Sequence, residues 1–172
     1  MSMTQVAFLS KANLPTKTEI EEMINALGYD FEILVDVEDI TELKEFSCSI
    51  NGKETFFEIY FDKTTDIIND YDWIKPDITN QDLAISFVWG ADFAAGACIG
   101  LISIALIDKS QAFIYYLDDE MKYSREMLLE DIPQFLNELE NQNTGTSVDQ
   151  KQKANLGVSK RSFWDKLKGV FN

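Results

Sequence analysis

Phe46-Ser47-Cys48-Ser49-Ile50-Asn51-Gly52-Lys53-Glu54-Thr55-Phe56-Phe57-Glu58-Ile59-Tyr60-Phe61 is the stretch from which the fold is most directly read. Two β-rich runs, Phe46 to Ile50 and Glu54 to Phe61, flank Asn51-Gly52, the dipeptide best suited to a tight hairpin turn because both of its residues tolerate positive φ. Towards the N-terminus, Phe31 to Val37 reads as another strand and Gln5 to Leu9 as a short one. Between them, Thr16-Lys17-Thr18-Glu19 is a capping box, in which the Thr hydroxyl and the Glu carboxylate satisfy backbone amides at a helix start. Ile20, Met23, Ile24 and Leu27 follow at helical spacing and Gly28 supplies the stop.

Towards the C-terminus, Asp62 to Gln81 is acidic and shows neither period, so it reads as an irregular loop or a short surface helix. Leu83 to Trp89 is a strand, and Asp92 caps a helix expected to run to about Leu106, rich in Ala and Gly. Ala112 to Leu117 is the last strand expected, ended by Asp118-Asp119-Glu120. Ser124 to Glu140 forms one kinked helix or two short ones, with a restart at Asp131-Ile132-Pro133-Gln134. The expectation is an α+β fold: one domain over residues 1–140 with a mostly antiparallel sheet against helices. A flexible polar linker (141–161) and a basic amphipathic tail helix (162–172) follow. The tail presents Phe163, Trp164, Leu167, Val170 and Phe171 on one face.

A chain of 172 residues, 45% hydrophobic and 12% aromatic, is long enough to bury one good core. The longest apolar run, Phe93 to Ile107, is interrupted by Gly96 and Gly100 and falls short of the ~20 residues of a membrane span. Residues 1–11 lack the basic leader and cleavage site of a signal peptide, so the expected location is the cytoplasm. The formal charge of −15 is uneven: residues 1–143 hold nine Lys and Arg against 28 Asp and Glu, a net of −19, whereas 144–172 hold six against two, a net of +4. Such a body repels phosphate backbones and attracts basic surfaces, which argues against nucleic acid and fits a basic protein partner, while an acidic solvated shell is the commoner reading of such charge.

The chain contains no histidine, which removes the commonest general base, zinc ligand and partner of a Ser or Cys nucleophile. Cys48 and Cys98 read as buried thiols, fifty positions apart and with no second ligand at metal spacing. Asp66, Asp70 and Asp72 miss the calcium-loop pattern, and neither a Walker loop nor a complete dinucleotide fingerprint occurs. No catalytic residue, metal or cofactor is therefore expected, and the chain reads as a binding protein, not an enzyme. Two clusters combine rings with carboxylates: Asp70, Asp72 and Trp73, and Asp118, Asp119 and Glu120 beyond Tyr115 and Tyr116. A basic partner would use the rings for affinity and the carboxylates for steering, although such rings also finish cores.

The order of a short strand, a Leu14-Pro15-Thr16 helix start, a hairpin ending in Gly52-Lys53-Glu54-Thr55-Phe56-Phe57-Glu58, a strand, an Ala-rich helix and an acid-ended strand resembles a group of small bacterial immunity proteins. The likeness spans about residues 5–140, with Phe56 standing where the family pattern has Gly. It implies a non-enzymatic antitoxin that covers a cognate toxin domain of a polymorphic or contact-dependent system. The alternative reading is a peripheral membrane or assembly adapter docking through its tail. Membrane contact is not favoured, because two lysines within the tail helix make a thin polybasic signal.

Overall fold

In the computed structural model, which describes residues 1–144, seven strands form one sheet. They are β1 (Met3–Leu9), β2 (Phe31–Ile33), β3 (Glu45–Ile50), β4 (Lys53–Lys63), β5 (Leu83–Trp89), β6 (Phe113–Tyr116) and β7 (Met121–Tyr123). The order across the sheet is β2-β3-β4-β5-β1-β6-β7, and every pairing is antiparallel. Four helices accompany it: α1 (Lys17–Ala26), α2 (Thr64–Ile68), α3 (Phe93–Ser110) and α4 (Arg125–Thr144). The fold is thus α+β, as the sequence implies.

Local chemistry sets the strongest elements. Asn51 and Gly52 adopt φ of 49° and 81°, the two positive values of a hairpin turn whose twist matches its strands. The Thr16 hydroxyl accepts from the Glu19 N–H while the Glu19 carboxylate accepts from the Thr16 N–H, so the expected capping box starts α1. Asp92 caps α3 by accepting from the Ala94 N–H at 2.9 Å.

One face of the sheet carries the main core. Ile20 and Ile24 of α1 and nearly the whole of α3 are buried against Ile33, Cys48, Phe57, Ile85 and Phe87. Phe57 stacks on Phe46 at 5.2 Å and meets Phe87 edge-on at 5.9 Å. α4 packs against α3, where Gly96 and Gly100 admit Phe135 and Ile132; a Cβ at Gly96 would lie 2.7 Å from Phe135 Cε1. Those glycines do not interrupt α3. With 18 residues and a mean hydropathy of 1.6 it is long and apolar enough to cross a membrane, yet 83% of it is buried inside this fold.

Several expectations are corrected. The strand expected over 31–37 ends at Ile33, with one further bond from the Leu34 N–H to the Ser47 C=O at 2.8 Å. Along its outer edge Asn25 bonds both the N–H and the C=O of Phe31, and Glu21 accepts from the Ile33 N–H. This also closes the edge to strand addition. α3 continues past Leu106 to Ser110, where Gln111 turns left-handed at φ 52° and donates to Ile107 C=O. β6 is not the last strand: Asp118-Asp119-Glu120 lie in a turn leading into β7, with Glu120 at φ 52°. Of the two alternatives for 124–140, the single helix is found; it starts at Arg125, includes Pro133 and runs on to Thr144, through the first four residues of the expected linker. The remaining linker and the tail, with Phe163, Trp164, Leu167, Val170 and Phe171, lie outside the described residues.

Candidate functional site: an acidic aromatic half-sheet

The second face of the sheet is divided. Over β5, β1 and β6, the segment from α2 to a short 3-10 turn (Lys75–Asp77) closes down and buries Ile74 with Val6, Phe8, Ala84 and Tyr115. The expected surface loop is therefore a lid on half the sheet. Trp73 meets Tyr115 edge-on at 5.4 Å, and Tyr115 donates to the Asp77 carboxylate at 2.6 Å, where Lys122 of β7 also donates at 3.1 Å. These two donors hold the Asp77 carboxyl below its usual range.

Over β2, β3 and β4 nothing comparable covers the sheet among the described residues. Because side chains alternate, Glu54, Phe56, Glu58, Tyr60 and Asp62 of β4 all stand on this open side while Phe57 and Ile59 point into the core. Phe56 is 63% exposed and Tyr60 47%. Register explains why: Phe56 lies opposite Ser47 and Tyr60 opposite Ser86, side chains too short to shield a ring. Glu58 lies opposite Glu45, and Ser49 opposite both Glu54 and Glu32, so carboxylates surround the two rings. None of Glu32, Glu45, Glu54, Glu58 and Asp62 is in an ion pair among the described residues. Tyr60 donates its hydroxyl to Glu58, which raises the phenol above its ordinary range.

The residues singled out from sequence lie on the lid and at the β6–β7 turn, not on the open half-sheet. Asp70 and Asp72 are exposed on the lid, and Asp72 is paired with Lys75, which lowers its carboxyl. Trp73, on the same lid, is half-buried against Tyr115. At the β6–β7 turn, Asp118 accepts from the Thr4 N–H at 2.8 Å and from the Tyr116 hydroxyl, so it ties the turn to β1. Burial and the nearby Asp118 and Asp119 raise Tyr116 well above the tyrosine range. Glu120 is exposed at the tip. Sequence reasoning passed over Phe56 and Tyr60, although Glu54-Thr55-Phe56-Phe57-Glu58 already puts an aromatic on each side of one strand.

Chemistry of other kinds has little to work with. Among the described residues no three His, Cys, Asp or Glu side chains are grouped to hold a metal ion. Cys48 and Cys98 are both buried, and Cys98 is pushed well above the thiol range, first by its hydrogen bond with Cys48 and then by burial, the opposite of an activated nucleophile. What the open half-sheet offers is recognition: rings for apolar contact within a field of fixed negative charge. In comparisons with known proteins, no family model matches the chain, and neither a curated protein nor a solved structure matches it.

Proposed function

We propose that the protein is a non-enzymatic binding protein of the immunity or antitoxin type, acting in the cytoplasm by covering the basic cleft of a cognate toxin domain. The observation that carries this reading is the open half-sheet, where Phe56 and Tyr60 stand exposed among five carboxylates that no cation neutralises among the described residues. Two rings on one face of β4, on either side of Glu58, are suited to act as anchors at the centre of an interface, and the surrounding carboxylates pair with Lys and Arg of the partner. A body of net −19 extends this attraction over about one Debye length, ~8 Å at physiological salt. Inhibition follows by occlusion, with no chemical step asked of the antitoxin. The resemblance to bacterial immunity proteins points the same way and supplies the kind of partner.

The test is to pass native lysate over the immobilised full-length protein and over a Phe56→Ser/Tyr60→Ser variant. The expected result is a basic protein retained by the first and lost by the second, whose toxicity the wild-type protein suppresses. A toxin-domain gene immediately upstream would identify the partner to try first. Equal retention by both forms removes the half-sheet from the mechanism, and a retained partner whose activity is unaffected removes the antitoxin reading. Association should also slow as ionic strength rises, and an on-rate flat in salt would reduce the acidic surface to solubilising charge.

A further inference from the structure

At the end of β4, where the half-sheet stops, a cleft of about 750 Å³ opens between the β4–α2 junction and residues 78–83. Its size falls within the range of small-molecule sites. Phe61, Ile68, Ile78 and Leu83 contribute an apolar lining, and Lys11 and Lys63 line the same cleft. Of the nine basic side chains before residue 144, Lys17, Lys75, Lys109, Lys122 and Arg125 are held in ion pairs. Two of the remaining four therefore meet here, in a body with 28 carboxylates.

The acids nearby are largely engaged. Asp82 accepts from the Lys11 N–H at 2.7 Å. In an adjoining groove that shares Lys11 and Thr41, Asp39 accepts from both the N–H and the hydroxyl of Thr41 and also feels the charge of Lys11, and Glu38 accepts from the N–H and hydroxyl of Thr18. Asp62 is the one acid lining the cleft with no bonded donor among the described residues. Thr64 also lines the cleft, and its buried hydroxyl has no hydrogen-bond partner among the described residues.

We propose that this cleft binds a small organic anion, a carboxylate, sulfonate or phosphate ester carried on an apolar body of one or two rings. The anionic group lies between Lys11 and Lys63, and the rings lie against Phe61, Ile68 and Ile78. The site adjoins the half-sheet at Asp62 but lies beyond Phe56 and Tyr60, and it does not depend on the antitoxin reading. Long-range repulsion from the acidic body slows entry of such a ligand, so selectivity comes from short-range pairing with the two ammoniums and from the apolar wall.

Two fluorescent probes of similar shape test this on the full-length protein: anilinonaphthalene sulfonate, which is anionic, and N-phenylnaphthylamine, which is uncharged. The anionic probe should bind saturably at one site and more tightly than the neutral one. Lys11→Ala/Lys63→Ala should weaken the anionic probe by about ten-fold, the sum of two partly screened ion pairs, and leave the neutral probe unchanged. Both lysines are exposed, so the variant should keep the wild-type circular dichroism and melting temperature. The proposal is overturned if neither probe saturates, if the double variant binds the anionic probe as tightly as wild type, or if Phe56→Ser removes the binding and so moves it to the half-sheet.

Discussion

Replacing Glu45 by Lys sets the stability of the half-sheet against its function. Glu45 and Glu58 are direct cross-strand partners on the open side, so their Cβ atoms lie roughly 5 Å apart and like charges there oppose folding. At a charge separation of roughly 6 Å in a water-like dielectric, each such interaction is worth about 0.7 kcal/mol. Glu45→Lys exchanges a repulsion for an attraction, and after the side-chain entropy of an exposed pair the net gain is about 1 kcal/mol. Unfolding residues 1–144 carries an entropy of about 0.3 kcal/mol per kelvin, so Tm should rise by about 3 °C at low salt. In about 1 M salt the Debye length falls to ~3 Å and most of that gain should vanish. The same variant should bind the basic partner more slowly, because a cation now stands beside Phe56 and Tyr60. Thermal melts at two ionic strengths and stopped-flow association provide the two readouts. A Tm unchanged or lowered at low salt would refute the repulsion, and a raised Tm with unchanged association would refute the half-sheet as the docking surface.

Phe56→Ser/Tyr60→Ser should leave stability within about 0.5 kcal/mol, since both rings are exposed, while weakening partner affinity by more than about ten-fold as measured by calorimetry. Gly96→Ala should destabilise by about 1–3 kcal/mol in a urea titration, because its Cβ would meet Phe135 Cε1 at 2.7 Å; adding Phe135→Leu should recover part of the loss. The Asp77 carboxyl is depressed in the folded state by the Tyr115 hydroxyl and by Lys122, so its contribution is present above the unfolded carboxylate range and is lost as pH falls through the folded value. Asp77→Asn should therefore lie below wild type in Tm at neutral pH and converge with it in acid; a constant offset across the whole titration would refute the linkage.

Signals confined to a few consecutive residues were readable from the sequence. The Thr16–Glu19 box, the Asn51-Gly52 turn and the Asp92 cap each satisfy backbone groups within three residues, so their chemistry is complete in the local chain. Together with the alternating and helical apolar runs they determine an α+β domain and a strongly acidic surface. β7 escaped because three residues with Lys122 at their centre are too short to show alternation, and it exists as a strand only by pairing with β6.

Which carboxylates and rings stay available to a partner was decided by tertiary structure alone. Asp118 looked like a free acid at the end of a strand; it is exposed, but it also holds the N–H of Thr4, 114 positions away. Trp73 looked like an exposed anchor and instead packs on Tyr115 as part of a lid that covers only half of the sheet. Phe56 and Phe57 are neighbours of the same chemical type, and only the strand order separates them: one is closed in by α3 and Phe46, the other faces a serine and solvent. Composition and period determine that a strand has two faces. Which of them water reaches depends on segments far away in the chain, because burial is a property of neighbours in space.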